Sequence, residues 1–492
     1  MQQHICVIGC GTFGSYLVRR LYERHGTALQ LTVIEIGDRR IRSESDIGIE
    51  TISPHSSVSR AGRYFGLGGT SARWGGQVLF FDDRDNPSGD PAWNEIIRIN
   101  RVHREKVLRN LLGDRAYHPV EDGQGPVKTG IWLKYTRRNM YRRLQNGMLR
   151  HPRFLTNRRV TGFVTDGRRI VSVRCKSEDG REEEISADLF YLTAGALESC
   201  RLLLLLDRSS GLFAGTDLGR NFGDHISTEL FTVRNSAPVL RGTDLTPRMH
   251  KGSLVTRRLV VTTAKGVVGF LHPVLNKDIK AFKFLKELLF GKRSTTVTPA
   301  ELLQGAVFLF RFAFSLAFRN KLYVDRTQWS LQLDMEQPVP NANRLTLSDR
   351  TDRFGEPVLE IDWKISGEDL VAIADVRQQA EQWLRESGLS YRAAYDPAST
   401  GNKVEDVYHP VGSIRMGTDP AAVAGFDGRI RGLDNLFHFS TALFPRAGSI
   451  NPSAAVFCIL EEHLEKYNFS RKSDICTAEE DAASGFAQVR TG

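Results

Sequence analysis

The sequence predicts an α/β chain of two lobes: a Rossmann-like dinucleotide-binding lobe, and an inserted α+β lobe built on an antiparallel sheet. Three observations predict it. At 492 residues the chain exceeds what one hydrophobic core usually serves. Residues 4–35 read strand, glycine-rich turn, helix, strand, acid. Residues 231–404 switch to short alternating segments, the period of strands with one solvated face.

The first element is the apolar run His4 to Ile8, of strand type. Gly9-Cys10-Gly11-Thr12-Phe13-Gly14 follows at once, and Tyr16, Leu17 and Leu21 then keep helical spacing. A second strand, Leu29 to Ile34, ends at Glu35, about 20 residues past Gly14. Each part has a task. Gly9 permits the tight turn, Gly11 lets the backbone approach a pyrophosphate, and Gly14 lets the helix sit close to the sheet. The helix N-terminus at Thr12 and Phe13 offers N–H groups to the phosphates, and Glu35 can accept from a ribose diol. Glu35 would repel a 2′-phosphate. The motif alone does not separate NAD from FAD.

A second glycine cluster runs from Gly66 to Gln77. Glycines there (Gly68, Gly69, Gly75) remove side chains where backbone touches a ligand. Thr70 and Ser71 add hydroxyls, and Trp74 offers a flat wall. A simple nicotinamide dehydrogenase has no need of such a loop.

In the middle, the segments 252–256, 329–334, 343–347 and 357–363 alternate and predict an antiparallel sheet. Ser366 with Asp369 opens a helix as a capping box, Leu370, Ile373, Val376, Ala380, Trp383 and Leu384 form its stripe, and Gly388 ends it. The basic stretch 137–143 reads as one solvated helix face. The tail from about residue 470 is polar and reads as disordered.

Composition excludes several classes. Hydrophobic residues at 41% and charged residues at 25% are ordinary for a globular protein. A net charge of +10 suits an anionic cofactor or surface without choosing between them. The six cysteines are scattered and form no CxxC pair, so neither a disulfide framework nor a metal site is expected. No nucleic-acid motif is present. No stretch has the ~20 apolar residues of a membrane span. A cleavable leader would destroy the fingerprint, so the protein is read as cytoplasmic.

From these residues the chain resembles the glucose–methanol–choline (GMC) oxidoreductases, FAD-dependent enzymes that oxidise alcohols. The fingerprint and the segment 66–77 match. The run Phe190 to Ser199, with Ala194 and Gly195 at its turn, is similar to the family's third FAD strand. Leu218 to His225 resembles its GRN…DH element. Tyr408-His409-Pro410-Val411-Gly412-Ser413 and Ser449-Ile450-Asn451-Pro452-Ser453 resemble its paired C-terminal signature. The resemblance implies a discontinuous FAD lobe at 1–95, 152–230 and 405–467. It implies a helical connection at 96–151 and a substrate lobe at 231–404. It places Val160 against adenine, and Thr441 and Pro452 near the cofactor. Ser440 stands where most members have Asp, and a hydroxyl there can still bond the cofactor. Arg73 occupies the position at which one branch attaches flavin through histidine, so FAD is expected to bind non-covalently.

The resemblance makes His409 and Asn451 the catalytic pair. An imidazole with a pKa near ~6.5 can take the hydroxyl proton while the flavin N5 takes the hydride. Asn451 can hold the substrate oxygen. The sugar-oxidising branches match best, which implies a small-molecule alcohol or carbohydrate substrate: a sugar, glycoside or cyclitol hydroxyl becoming a carbonyl. The electron acceptor stays open between oxygen, a quinone and a protein. Two other functions stay open as well: an NAD(P)H-dependent flavin monooxygenase or reductase, and a membrane-surface flavoprotein subunit acting on lipid-linked sugars. The second turns on residues 277–324, which are basic and then apolar. That segment packs over the entrance, forms a homo-oligomer contact, or rests as a peripheral helix on an anionic membrane.

Overall fold

Strand Gln3–Ile8 is flanked by neighbours in the order Leu436–His438, Leu189–Leu192, Gln3–Ile8, Leu29–Ile34, Arg153–Leu155. All pairs are parallel. This comes from a computed structural model that describes residues 2–53, 62–113, 125–144, 146–234, 237–275, 298–323, 328–399 and 401–469. Strand Leu189–Leu192 is buried throughout, as expected of a parallel strand covered on both faces. The sheet therefore joins three sequence stretches that lie far apart.

Helix Thr12–His25 follows the first strand and buries Phe13, Tyr16, Leu17 and Leu21. Helix Ser453–Lys466 packs on it: Tyr16 stacks on Phe457 at 4.3 Å, and the Tyr16 hydroxyl donates to Glu461 at 2.8 Å. The buried Glu461 carboxylate also accepts from Arg20 at 2.5 Å and lies 2.9 Å from Lys106 of helix Pro91–Leu112. One carboxylate thus ties three helices.

The antiparallel sheet has seven strands along its main path. Their order is Ser390–Ala393, His225–Arg234, Gln328–Glu336, Val268–Leu275, Ser253–Thr262, Val127–Trp132, Gln77–Val78. It differs from expectation in three ways. Strand Val127–Trp132 comes from residues read as a helical connection, and Gln77–Val78 from the glycine loop. Strands Arg344–Thr351 and Pro357–Asp362 leave the sheet and pair with each other, and the second also pairs with Thr51–Ile52. Strand His225–Arg234 is buried on both faces rather than one. Helix Gly367–Glu386, opened by the expected Ser366–Asp369 capping box, lies against that strand with Arg377 over the Phe231 ring at 5.3 Å.

The basic stretch 137–143 is not a solvated helix face. It forms two 3-10 turns, Tyr135–Arg137 and Tyr141–Arg143, and Arg138 between them is buried. Arg143 donates to the Asn110 carbonyl at 3.0 Å and to that of Leu111. These carbonyls end helix Pro91–Leu112 and have no partner within it, so a guanidinium is the natural cap. In segment 277–324, helix Pro299–Arg319 is described, while the lysine cluster before it lies outside the described residues, as does the tail beyond 469.

Candidate active site

The two sheets meet at a cavity of about 820 Å³. Its wall takes in Gly9, Gly11, Thr12, Phe13, Glu35, Gly69, Thr70, Trp74, Gly75, Val160, Ala194, Gly195, Thr441, His409 and Asn451. Fifteen of the twenty sequence-derived site residues are thus in one place. The two ends of the chain supply opposite parts of the wall.

The glycines divide by what surrounds them. A Cβ on Gly14 would fall 1.9 Å from the Gly9 carbonyl oxygen, so this glycine serves helix–strand packing and does not face the cavity. Gly9 has φ +92° and donates to the Ile34 carbonyl at 2.8 Å, closing the turn. Gly11 is different. Its φ of −74° suits any residue, and a Cβ there would meet no protein atom within 4 Å. That Cβ would stand in the cavity at the N-terminus of helix Thr12–His25, which no side chain caps. A helix N-terminus kept bare in this way fits a pyrophosphate.

Glu35 faces the cavity but is engaged with backbone. It accepts from Cys10 at 2.8 Å, and from Gly37 and Gly66 at 3.1 Å each. Burial raises its pKa against the pull of these donors. With about four lone-pair sites on a carboxylate, one remains for a ribose hydroxyl.

Four further expected residues do not line the cavity with Gly14. Gly68, at φ +96°, packs against Asn139 and donates to the Cys10 carbonyl at 2.8 Å. Ser71 is fully buried, donating to the Gly68 carbonyl at 2.5 Å and accepting from Met140 N–H at 3.0 Å. Ser440 accepts from Ala442 N–H at 3.1 Å and bonds the His438 ring at 2.8 Å, so its hydroxyl caps a 3-10 turn. Pro452 precedes the first turn of helix Ser453–Lys466. These four hold the wall from behind.

At the other end of the cavity, the hydrogen bonds of His409 fix its tautomer. Arg258 can only donate, and its Nη2 lies 2.9 Å from Asn451 Oδ1. The Asn451 amide nitrogen is therefore the atom 3.0 Å from His409 Nε2. On the far side, His225 Nε2 lies 2.6 Å from the Gly448 carbonyl, which can only accept, so His225 Nε2 carries a proton. Burial lowers the His225 pKa and keeps the ring neutral, which leaves its Nδ1 bare. His409 Nδ1, 3.0 Å away, must then donate to it. His409 Nε2 is left unprotonated and accepts from the Asn451 amide N–H. Burial, with the neighbouring His225 and Arg258, pushes the His409 imidazole down to about 3, against the attraction of Asp334.

The loop that carries Asn451 is fixed by carboxylates. Glu336 accepts from Gly448 N–H at 2.8 Å, and Asp85 accepts from the Ser449 N–H and hydroxyl at 2.7 and 2.6 Å. Asp224 holds the backbone of the other partner, accepting from His409 N–H at 2.8 and 2.9 Å. Burial, with Asp406 nearby, raises the Asp224 pKa well above the carboxylate range. Arg258 sits 3.8 Å over the Phe270 ring, and burial brings its pKa down to about 10. Asp334, also on the cavity wall, is held well below the usual carboxylate range. Its burial is outweighed by His272 at 3.2 Å and by Ser227.

Sequence reasoning did not assign His225, Arg258 or Asp334. His225 lies in the quoted GRN…DH element, which was the available signal. Arg258 and Asp334 sit in strands whose alternation shows burial but not which partner they meet.

Residues 338–459 match the C-terminal family model described as GMC oxidoreductase. A 120-residue segment is 32% identical to an alcohol dehydrogenase [acceptor] of Pseudomonas putida, covering 24% of this chain and 21% of that protein. The match thus spans about a fifth of that relative. The structure of pyridoxine 4-oxidase from Mesorbium loti superposes with a TM-score of 0.58, at 17% identity, over 95% of this chain and 99% of that one. At that identity the likeness is one of fold. Residues 338–459 thus match a GMC oxidoreductase C-terminal segment, and the chain as a whole has a fold like that of pyridoxine 4-oxidase.

Proposed function

We propose that this protein binds FAD without a covalent link and oxidises a CH–OH group of a small molecule to a carbonyl. The observation that carries the reading is the unprotonated Nε2 of His409, an acceptor paired with the Asn451 amide in the cavity lined by Gly11. FAD would lie along Gly9 to Phe13, Glu35, Gly69, Val160 and Ala194–Gly195. Bound there, it supplies an acceptor for the hydride leaving the alcohol carbon. His409 Nε2 takes the hydroxyl proton. Asn451 donates to the alcohol oxygen, and Arg258 keeps the amide turned the right way. The proton arriving on His409 is stabilised by the ionised Asp334 carboxylate. A sugar, glycoside or cyclitol suits the polar wall formed by Asp334, Asp406 and Gln77.

The test is the visible spectrum of the purified protein under anaerobic conditions, before and after adding a panel of sugars, glycosides and simple alcohols. Flavin bands that bleach with one class are expected. His409→Ala should bleach about 10²–10⁴-fold more slowly with FAD still bound. No flavin bands after incubation with FAD overturns the cofactor; unchanged bleaching in the variant overturns the base. Bleaching by NADPH alone moves the chain to the reductase reading.

A further inference from the structure

Helix Pro299–Arg319 turns its apolar side outward. Leu303 is 70% exposed, Val307 48%, Phe310 73%, Phe314 49% and Phe318 75%. These positions follow each other at steps of four and three, so they form one stripe along the helix. Among the described residues, exposed phenylalanines occur on this helix alone. The helix is held from its other side. Phe308 is buried against the Tyr323 ring at 5.6 Å, and the Ser315 hydroxyl donates to the Lys321 carbonyl at 2.9 Å. The turn after the helix joins the sheet through Met249 N–H to the Asn320 carbonyl at 2.7 Å. The stripe is therefore presented by a fixed helix, anchored to the antiparallel sheet.

Monomeric proteins seldom leave so continuous an apolar surface in water. Charge indicates what covers it. Between Leu302 and Lys321 the sequence holds Arg311, Arg319 and Lys321 and no acidic residue, and of these cations Lys321 is paired with Asp244. Over residues 277–324 it has nine lysines and arginines against three acids. A two-fold contact between copies would set each such patch against itself, and the like charges would repel. An anionic lipid surface meets both features: acyl chains take the phenylalanines, and headgroups take the cations. No helix among the described residues is long and apolar enough to cross a membrane, so the contact is one of lying on the surface.

We infer that helix Pro299–Arg319 docks this protein on an anionic membrane surface through Leu303, Val307, Phe310, Phe314 and Phe318. The experiment is co-sedimentation of the full-length protein with vesicles of phosphatidylcholine alone or mixed with phosphatidylglycerol, alongside light scattering without vesicles. The protein is expected to pellet with the anionic vesicles at least tenfold more than with the neutral ones, and less as salt rises. The triple variant F310S/F314S/F318S should lose the binding with its circular dichroism and thermal midpoint unchanged, because these side chains stand outside the core. Phe310→Asp serves if the triple variant unfolds. Three outcomes overturn the inference: no pelleting with either vesicle, equal pelleting with both, or pelleting retained by the folded variants. A dimer that the triple variant abolishes, with no vesicle binding, assigns the stripe to a second copy.

Discussion

Gly11 and Gly14 stand three residues apart in one turn, yet the structure gives them unrelated reasons to be glycine. Gly11→Ala places its methyl in open cavity, so the protein without ligand should keep its thermal midpoint within about 1–2 °C, the shift that a few tenths of a kcal/mol produces. On the proposal that FAD lies along Gly11, the variant's affinity for added FAD should fall at least tenfold by titration of the flavin bands. Gly14→Ala pushes a methyl into the Gly9 carbonyl and should cost about 1–3 kcal/mol in denaturant unfolding before any ligand is added. Equal loss of stability in both variants would remove the ligand argument for Gly11. His409 allows a pH prediction. Its folded pKa is lowered to about 3, from 6.5, so the ring stays neutral and able to accept a proton down to well below pH 6. The acid limb of kcat/KM should therefore fall below pH 5. A limb near 6.5 would show that the imidazole is not held neutral by its surroundings. The pair itself was legible because it sits in a local motif. Its orientation was not: the tautomer depends on Arg258 and His225, which come from distant strands, and on the Gly448 carbonyl.

At the scale of elements, what could be read was what the chain determines locally. The fingerprint helix and the Ser366–Asp369 capping box follow from contacts within a few residues, and both are present. Partner choice between strands is not local. Strand Val127–Trp132 joins the antiparallel sheet because Ser253–Thr262 offers a matching edge, and nothing in its own six residues says so. Ser440 was read as a cofactor contact by position in a motif, whereas its hydroxyl is used by the adjacent turn and His438. The three-helix junction at Glu461 carries its own test. The carboxylate is buried, yet Arg20, Lys106 and Tyr16 lower its pKa to about 2. A pKa below the unfolded value means that this stability is present above about pH 4.5 and is lost as pH falls toward 2. Glu461→Ala takes this carboxylate from Arg20, Lys106 and Tyr16, while Arg20 keeps Glu23 and Lys106 keeps Glu465, and should cost about 1–3 kcal/mol at pH 7 by denaturant titration. A loss under 1 kcal/mol would mean that water replaces the carboxylate.

Over the whole molecule, each lobe is assembled from pieces that are remote in the chain. The cavity needs the fingerprint at residues 9–14, the turn at 194–195, the strand residues Arg258 and Asp334, and the pair His409 and Asn451. Composition and motif order made the two-lobed plan readable. They left open which strands crossed between lobes, because that is set by pairing energies realised only once both lobes exist. The parallel sheet shows the consequence in time rather than in space. Of the strands in its sheet, Gln3–Ile8 leaves the ribosome before the others, but the sheet is finished only by Leu436–His438, and its helix is covered only by Ser453–Lys466. At about 5–20 residues per second, the nascent fingerprint waits tens of seconds or more for its last partners. During that wait its apolar faces are open to chaperones, and the cavity it helps to line is complete only once the last strands and the pair His409 and Asn451 have been made.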